Sequence, residues 1–587
     1  MNHSQSTLGT LRNRICEHLD IIYGEERVDI ALEDLTLQII EVMRLSHDQP
    51  QVKPDKNKWD QRDVLMITYG DSIRSKEKMP LESLESFLDH HIGSDITGVH
   101  ILPFFPYSSD DGFSVIDYSS VNEALGDWED INRISDKYRL MVDLVINHCS
   151  SKSLWFENFK KGKRPGADYF ICVDPETDLS EVVRPRTSPL LSEVHTIDGI
   201  KHVWCTFSED QVDLNFRNPE VLLQIIGLIR LYLDMGATIF RLDAVAFIWK
   251  SIGTNCLNLQ QAHEIVRLIR TLVDHAQEDI IIITETNIPN KENLSYFGNS
   301  NEAHCIYNFS LPPLLLHALV TGRCSFLKQW QMAMPPARDG TTYLNFIASH
   351  DGIGLRPAEG LLSEKEIGEV IQCMQDFGGY ISWRAESGSA RPYEINISFF
   401  DACKGTLKGE DECRESRFLL AHTIMMSLAG IPAIYVLSLL ATENDLDRAL
   451  ATGNNRAINR HQWDAHYLQQ KLQRESSPQS RILSAILDLF RKRAAQPAFH
   501  PNATQFTLHL GEYIFGFWRQ SDCKQQSIFC IFNLTDLVQE LHLSSVNLIG
   551  TDCWWDILSG EKISELNSVY LLDPYQSLWI TNHQAQD

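Results

Sequence analysis

The sequence is short of positive charge. Its 587 residues carry 52 Lys and Arg against 78 Asp and Glu, a net charge of −26. Proteins that bind nucleic acid or anionic membranes through a broad surface need a positive field, so neither partner is expected. Thirteen cysteines, an odd number, run from Cys16 to Cys553 without a C-x-x-C pair. That pattern suggests neither a disulfide framework nor a zinc site, and it fits a reduced, cytoplasmic compartment. No repeat period and no low-complexity tract is present. The N-terminal stretch MNHSQSTLGTLRNRICEHLD is too polar for a signal peptide. One long apolar run, Phe418 to Ala441, reaches spanning length. It carries His422, Gly430 and Pro432 and lacks basic anchors, so it reads as a buried helix followed by a buried strand.

What the sequence has is material for a large core. Hydrophobic residues make up 43 %, with 26 Phe, 17 Tyr and 12 Trp, which excludes intrinsic disorder as the main description. Residues 1–58 form a helical extension in which Leu8, Leu11, Ile15, Leu19 and Ile22 recur at helical spacing. Ile30 to Leu45 repeats that spacing, and the polar stretch HDQPQVKPDKNKWDQ links it to the main body.

From Asp63 the rhythm changes. Eight short β-rich runs alternate with helical patterns: VLMITYG, TGVHILPF, RLMVDLVIN, ATIFRLDAV, IIIITETN, HCIYNFSL, YLNFIASHD and PAIYVLSL. Continuous Val/Ile/Leu runs suit parallel strands covered by helices, and eight of them predict an α/β fold built on a closed (β/α)8 TIM barrel. The barrel domain spans 59–498, with insertions at 150–218 after strand three and 354–411 after strand seven. A closing helix is expected from Arg481 to Lys492. Loops at the C-terminal rim of a barrel carry function, so both insertions should overhang the site. Residues 499–587 alternate like antiparallel strands and predict a C-terminal β-sandwich.

Catalytic groups in such barrels sit where strands end. Asp243 closes ATIFRLD, Glu285 closes IIIITE and Asp351 closes YLNFIASHD. One acidic residue at a strand end more often caps the next helix. Three together, with Arg241 two residues before Asp243 and His350 beside Asp351, predict a shared pocket. Retaining glycosyl transfer needs this set: one carboxylate attacks the anomeric carbon, a second gives and recovers a proton, and fixed negative charge stabilises the oxocarbenium-like transition state. Arg241 would keep the nucleophile ionised, while His148 and His350 suit sugar hydroxyls.

These residues fall in four short motifs: Asp143, Asn147 and His148 in DxxxNH; Gly236 through Arg241, Asp243 and Ala244 in GxxxxRxDA; Glu285 in ITETN; and the pair His350–Asp351. In that order the chain resembles the α-amylase superfamily, glycoside hydrolase family 13, over roughly residues 60 to 500. The resemblance implies Asp243 as nucleophile, Glu285 as acid/base and Asp351 as transition-state stabiliser. Amylases usually continue the second motif with Lys-His, where this chain has Ala246 and Phe247, which argues against long polysaccharides. The strings ITYGDS, PFFPYSSDDGFSVIDY, TFSEDQVDLNF, SHDGIG and TGNNRAINRH resemble the sucrose-phosphorylase branch. That resemblance assigns Asp111 and Arg456 to a closed glucose-binding end. It implies resolution of the glucosyl-enzyme by phosphate, which needs cations and water exclusion at the acceptor side. Candidates are Arg184 and Arg186 in VVRPRTSPLL, and Arg391, Tyr393 and Glu394 in ARPYEINISFF.

The N-terminal extension, the Arg-Pro-Arg loop and the Tyr393–Glu394 pair point within the branch to 2-O-α-D-glucosylglycerate as glucosyl donor and phosphate as acceptor. Sucrose or sucrose 6′-phosphate phosphorolysis, or α-glucosidase or transglucosylase activity, stands as the alternative. A non-catalytic transporter-associated relative would have lost the carboxylates. No cofactor is expected, nor a metal; some amylases hold calcium at the position of Asn147, but no acidic cluster surrounds it here. The expected partners are a small glucoside and phosphate, without nucleic acid or membrane; the number of subunits is not set by these features.

Overall fold

The computed structural model describes residues 2–26, 28–45, 57–386, 389–546, 548, 553–566 and 568–583. Eight parallel strands close into a barrel: β1 (Leu65–Thr68), β2 (Gly98–Ile101), β3 (Arg139–Val145), β4 (Ala237–Asp243), β5 (Ile281–Thr284), β6 (Cys305–Tyr307), β7 (Thr342–Asn345) and β8 (Ile431–Tyr435). Each strand pairs with its sequence neighbours, and β1 closes on β8 through Leu65 opposite Ala433. β5 is Ile-Ile-Ile-Thr, entirely buried, as a strand covered on both faces must be. Six of the eight strands fall within the runs read from the sequence; β7 and β8 each begin one residue earlier, at Thr342 and Ile431.

The helix after the first insertion, Pro219–Asp234, shows how local chemistry starts an element. Asn218 accepts a hydrogen bond from the Glu220 amide at 3.0 Å, and Pro219 takes the first helical position. Helix Pro478–Ala494 closes the barrel, slightly longer than Arg481–Lys492. The apolar run from Phe418 divides as expected, into the end of helix Arg414–Ser427, then β8, then helix Val436–Leu439. Among the described residues no helix is long and apolar enough to cross a membrane.

Helices α1 (Asn2–Tyr23) and α2 (Leu32–Val42) pack against the barrel helices Gln260–Ala276 and Pro219–Asp234 respectively. Leu11, Ile15, Leu19 and Ile22 are buried in that contact, and the Tyr23 hydroxyl donates to the Phe216 carbonyl at 3.0 Å. The side chain of Leu8 and much of the following link, residues 46–56, lie outside the described residues. Beyond them Lys58 returns to the barrel and donates to Asp274 at 2.8 Å.

The first insertion contributes helix Leu154–Lys160, the hairpin Leu191–Thr196/Gly199–Trp204, and strand Gln211–Asp213 paired with His148–Ser150. The second contributes helix Glu364–Asp376 and a three-stranded antiparallel sheet of Ile353–Gly354, Ser389–Asn396 and Tyr380–Glu386. Gly352 is required at the root of this sheet. A Cβ there would meet Glu394 Cγ and the Ile395 carbonyl oxygen at 2.5 Å. The C-terminal region forms a six-stranded antiparallel sheet plus a two-stranded ribbon, Gln539–His542 with Val569–Leu572. Read as one strand, LHLSSVNLIG instead ends its strand at His542 and turns into a short 3-10 segment, Leu543–Ser545; its residues 547, 549 and 550 lie outside the described set.

Candidate active site

The strand register builds the centre. Asp143 on β3 lies opposite Arg241 on β4, and Val145 opposite Asp243, so Asp143, Arg241 and Asp243 share one face. Arg241 is buried and spends both arms on carboxylates. Its Nη1 donates to Asp143 and, at 2.7 Å, to Asp243, and its Nη2 lies 3.9 Å from Glu285. The other Asp143 oxygen accepts from His100 Nε2 at 2.7 Å. Burial pushes the Asp143 carboxyl up, but Arg241 and His100 outweigh it and hold it at about 2.

Asp243 ends β4, and Ala244 turns the chain through the left-handed region at φ 50°. That turn aims the Ala244 amide at Glu285 Oε2, 3.1 Å away. Burial pushes Glu285 up to about 7; Arg241 opposes, and the Asp243 and Asp351 charges add to the rise. Burial and Asp143 push Asp243 up as well, against the Arg241 hydrogen bond. With that bond on Asp243, the proton of the pair resides on Glu285. Asp351 goes the other way: burial raises it, but Arg456 at 2.5 Å, His350 and Arg460 hold it well below the usual carboxylate range. Burial brings His350 down to about 3, so its ring is neutral, stacked on Phe113 with centroids 5.1 Å apart.

A cavity opens on these groups. Of the residues read from the sequence, Asp243, Glu285, Asp351, His148, Arg241, His350, Arg456, Arg186 and Tyr393 line it. Glu394, Arg184, Asp111 and Arg391 do not. Glu394 is buried behind Arg456 and accepts from its Nε at 3.0 Å and its Nη2 at 2.7 Å. Arg184 donates to the Ser188 carbonyl within its own loop. Asp111 pairs with Arg460 at 2.5 Å and faces a neighbouring depression; its predecessor Asp110 lines the catalytic cavity instead. Both aspartates adopt left-handed backbone, at φ 53° and 47°, and the turn sends them to opposite sides. Spacing alone gives no way to choose between adjacent identical residues. Arg391 is exposed.

Several lining residues were not singled out from the sequence. Gln211 donates toward Asp110 at 3.3 Å and toward the Phe113 carbonyl at 3.4 Å, bridging the first insertion to the aspartate turn. It lies within TFSEDQVDLNF, but that string does not reveal which side chain faces inward. Asn287, two residues beyond Glu285, and Arg356, beyond SHDGIG, also line the wall.

The calcium position implied by the family does not suit a metal here. Lys250 Nζ donates to Asn147 Oδ1 at 2.7 Å and pairs with Asp213 at 2.5 Å, placing an ammonium where the ion would sit. Among the described residues no group of three or more His, Cys, Asp or Glu could hold a metal.

Comparison with known proteins agrees with this construction. Residues 86–352 match the α-amylase catalytic domain. The chain belongs to the α-amylase family. Near-full-length relatives place it more narrowly. It is 39 % identical to a glucosylglycerate phosphorylase of Spirochaeta thermophila, covering 97 % of this chain and 99 % of that one. It is also 39 % identical to a glucosylglycerate phosphorylase of Escherichia coli, covering 97 % and 100 %. The crystal structure of sucrose 6F-phosphate phosphorylase from Thermoanaerobacter thermosaccharolyticum superposes with a TM-score of 0.70 at 25 % identity, over 81 % of this chain and 94 % of that one. The chain is thus a phosphorylase-type glycosyltransferase on a family 13 fold.

Proposed function

We propose that this protein is a retaining phosphorylase that transfers the glucosyl group of 2-O-α-D-glucosylglycerate to phosphate, giving α-D-glucose 1-phosphate and glycerate. The observation that carries the chemistry is the contrast between two neighbouring carboxyls: Asp243 bonded to Arg241 at 2.7 Å, and Glu285 pushed up to about 7. The choice of donor is supported by similarity along nearly the whole chain to the two glucosylglycerate phosphorylases.

In the first half-reaction an Asp243 oxygen attacks the anomeric carbon. The bond from that carbon to glycerate O2 breaks, and Glu285 gives its proton to the departing oxygen. The product is a glucosyl ester of Asp243. In the second, an oxygen of hydrogen phosphate attacks the same carbon, the bond to Asp243 breaks, and the phosphate proton passes to Glu285. Two inversions return the α configuration. Asp351, kept ionised by Arg456, faces the positive charge that develops at the anomeric centre in both steps. Asp110, His148, His350 and Arg456 form the end that holds the glucosyl hydroxyls, and Arg186, with its guanidinium 5.6 Å from the Tyr393 ring centroid, receives phosphate. The reaction belongs to a reduced cytoplasm; all thirteen cysteines are free, and most are buried.

The deciding experiment incubates the protein with 2-O-α-glucosylglycerate, sucrose or sucrose 6′-phosphate, each with and without phosphate. Glucose 1-phosphate from glucosylglycerate alone, and only with phosphate, is the expected outcome. Free glucose at the same rate without phosphate would make the protein a hydrolase.

A further inference from the structure

Two of the four arginines that line the catalytic cavity are spent on carboxylates. Arg241 serves Asp143 and Asp243, and Arg456 serves Asp351 and Glu394. Just behind the wall, Arg460 serves Asp111. Arg356 is different. It lines the same cavity and is only 8 % exposed; its Nε, like that of Arg241, has no hydrogen-bond partner. No carboxylate among the described residues forms an ion pair with it. A guanidinium withdrawn from water without a counter-charge is costly, so such a group is kept where an anion completes it.

Arg356 is also held in place. It opens a 3-10 turn, Arg356–Ala358, directly after the strand Ile353–Gly354. The Leu355 amide donates to the Tyr393 carbonyl at 3.0 Å, fixing the turn to the strand that carries Tyr393. On the same wall, Asn287 presents a buried Oδ1 that also lacks a donor. Asn287 packs on the strand that leads into the Arg356 turn: a Cβ at Gly354 would lie 2.8 Å from both Asn287 side-chain terminal atoms. Asn287 follows the proton donor Glu285 by two residues and lines the same cavity as Arg356.

We propose that Arg356 is the residue that selects an anionic leaving group: its guanidinium pairs with the glycerate carboxylate while Asn287 Oδ1 accepts from the glycerate hydroxyl. A planar guanidinium matches a carboxylate in two parallel hydrogen bonds, and an unpaired acceptor beside it reads a hydroxyl. This rests on the glucosylglycerate reading above and adds the residue that enforces it.

The test compares Arg356→Gln and Arg356→Lys with the parent enzyme, using glucosylglycerate and glucosylglycerol, whose leaving group carries a neutral CH2OH in place of the carboxylate. Melting curves establish that each variant is folded. The expected result is a loss in kcat/KM on glucosylglycerate about 100-fold greater than on glucosylglycerol for Arg356→Gln. Arg356→Lys, which keeps the charge without the fork, should fall between the two. Equal losses on both donors would overturn the proposal, since a structural role does not distinguish a carboxylate from an alcohol. A raised KM for phosphate with an unchanged preference for glucosylglycerate would overturn it too, by assigning Arg356 to phosphate. If the parent enzyme itself yields no glucose 1-phosphate from glucosylglycerate, the activity reading fails and this proposal with it. If the parent is active and only the discrimination is insensitive to Arg356, the fault lies with Arg356 alone.

Discussion

The two ends of the catalytic cavity are built on opposite electrostatic principles. At the glucosyl end every guanidinium has its carboxylate: Arg241 with Asp143 and Asp243, Arg456 with Asp351 and Glu394. At the acceptor rim Arg186 rests against the Tyr393 ring, and Arg356 is buried without an ion pair among the described residues. A saturated end is rigid before substrate arrives and can bind a neutral sugar through hydroxyls. An unsaturated rim is completed only by an anion. The difference accounts for how a chain of net charge −26 would accept the proposed phosphate and glycerate beside four carboxylates.

The largest break in this comparison removes the nucleophile. Asp243→Asn should lower kcat on any glucosyl donor by at least about 10^4-fold, because no ester can form. Trapping the glucosyl-enzyme by mass spectrometry in the parent, and failing to in the variant, checks it. Glu285→Gln should cost about 10^3-fold on glucosylglycerate and far less on glucosyl fluoride, whose leaving group needs no proton. Equal losses on both would remove its role as acid.

Next, Arg456→Ala leaves Asp351 and the buried Glu394 without their shared cation. It should cost about 3 kcal/mol in stability, read from urea unfolding, in addition to activity. Arg186→Ala should raise the KM for phosphate by about tenfold or more while sparing hydrolysis of the glucosyl-enzyme. The ratio of glucose to glucose 1-phosphate reports it directly.

The pH dependence is the mildest test. Glu285 must be protonated to release glycerate, and its carboxyl lies at about 7. Turnover of glucosylglycerate limited by that step should therefore hold below pH 7 and fall tenfold per unit above it. Glu285→Gln acting on glucosyl fluoride should lose this basic limb.

The barrel was legible in the sequence because parallel strands buried on both faces are written as unbroken apolar runs, as in Ile281–Thr284. The three carboxylates proposed for catalysis line one cavity, as their motifs imply: Asp243 ends its strand, Glu285 follows Thr284 directly, and Asp351 lies six residues beyond Asn345. The adjacent pair Asp110–Asp111 was not legible, since two left-handed residues in succession decide which carboxylate meets the cavity. Arg184 and Arg186 sit two residues apart in one loop, yet one bonds the Ser188 carbonyl and the other reaches the wall. Arg356 gave no signal at all, for an arginine after a strand is ordinarily a solvated residue.

Composition and motif order thus determined by themselves the barrel and the enzyme class, because periodicity and strand ends are local properties. Which cations are neutralised and which wait for an anion was decided only by the tertiary structure. Pairing depends on distances between segments that are far apart in the chain, as between Arg186 and Tyr393 or Arg456 and Asp351. Burial then sets what each unpaired charge costs, and so what it must bind.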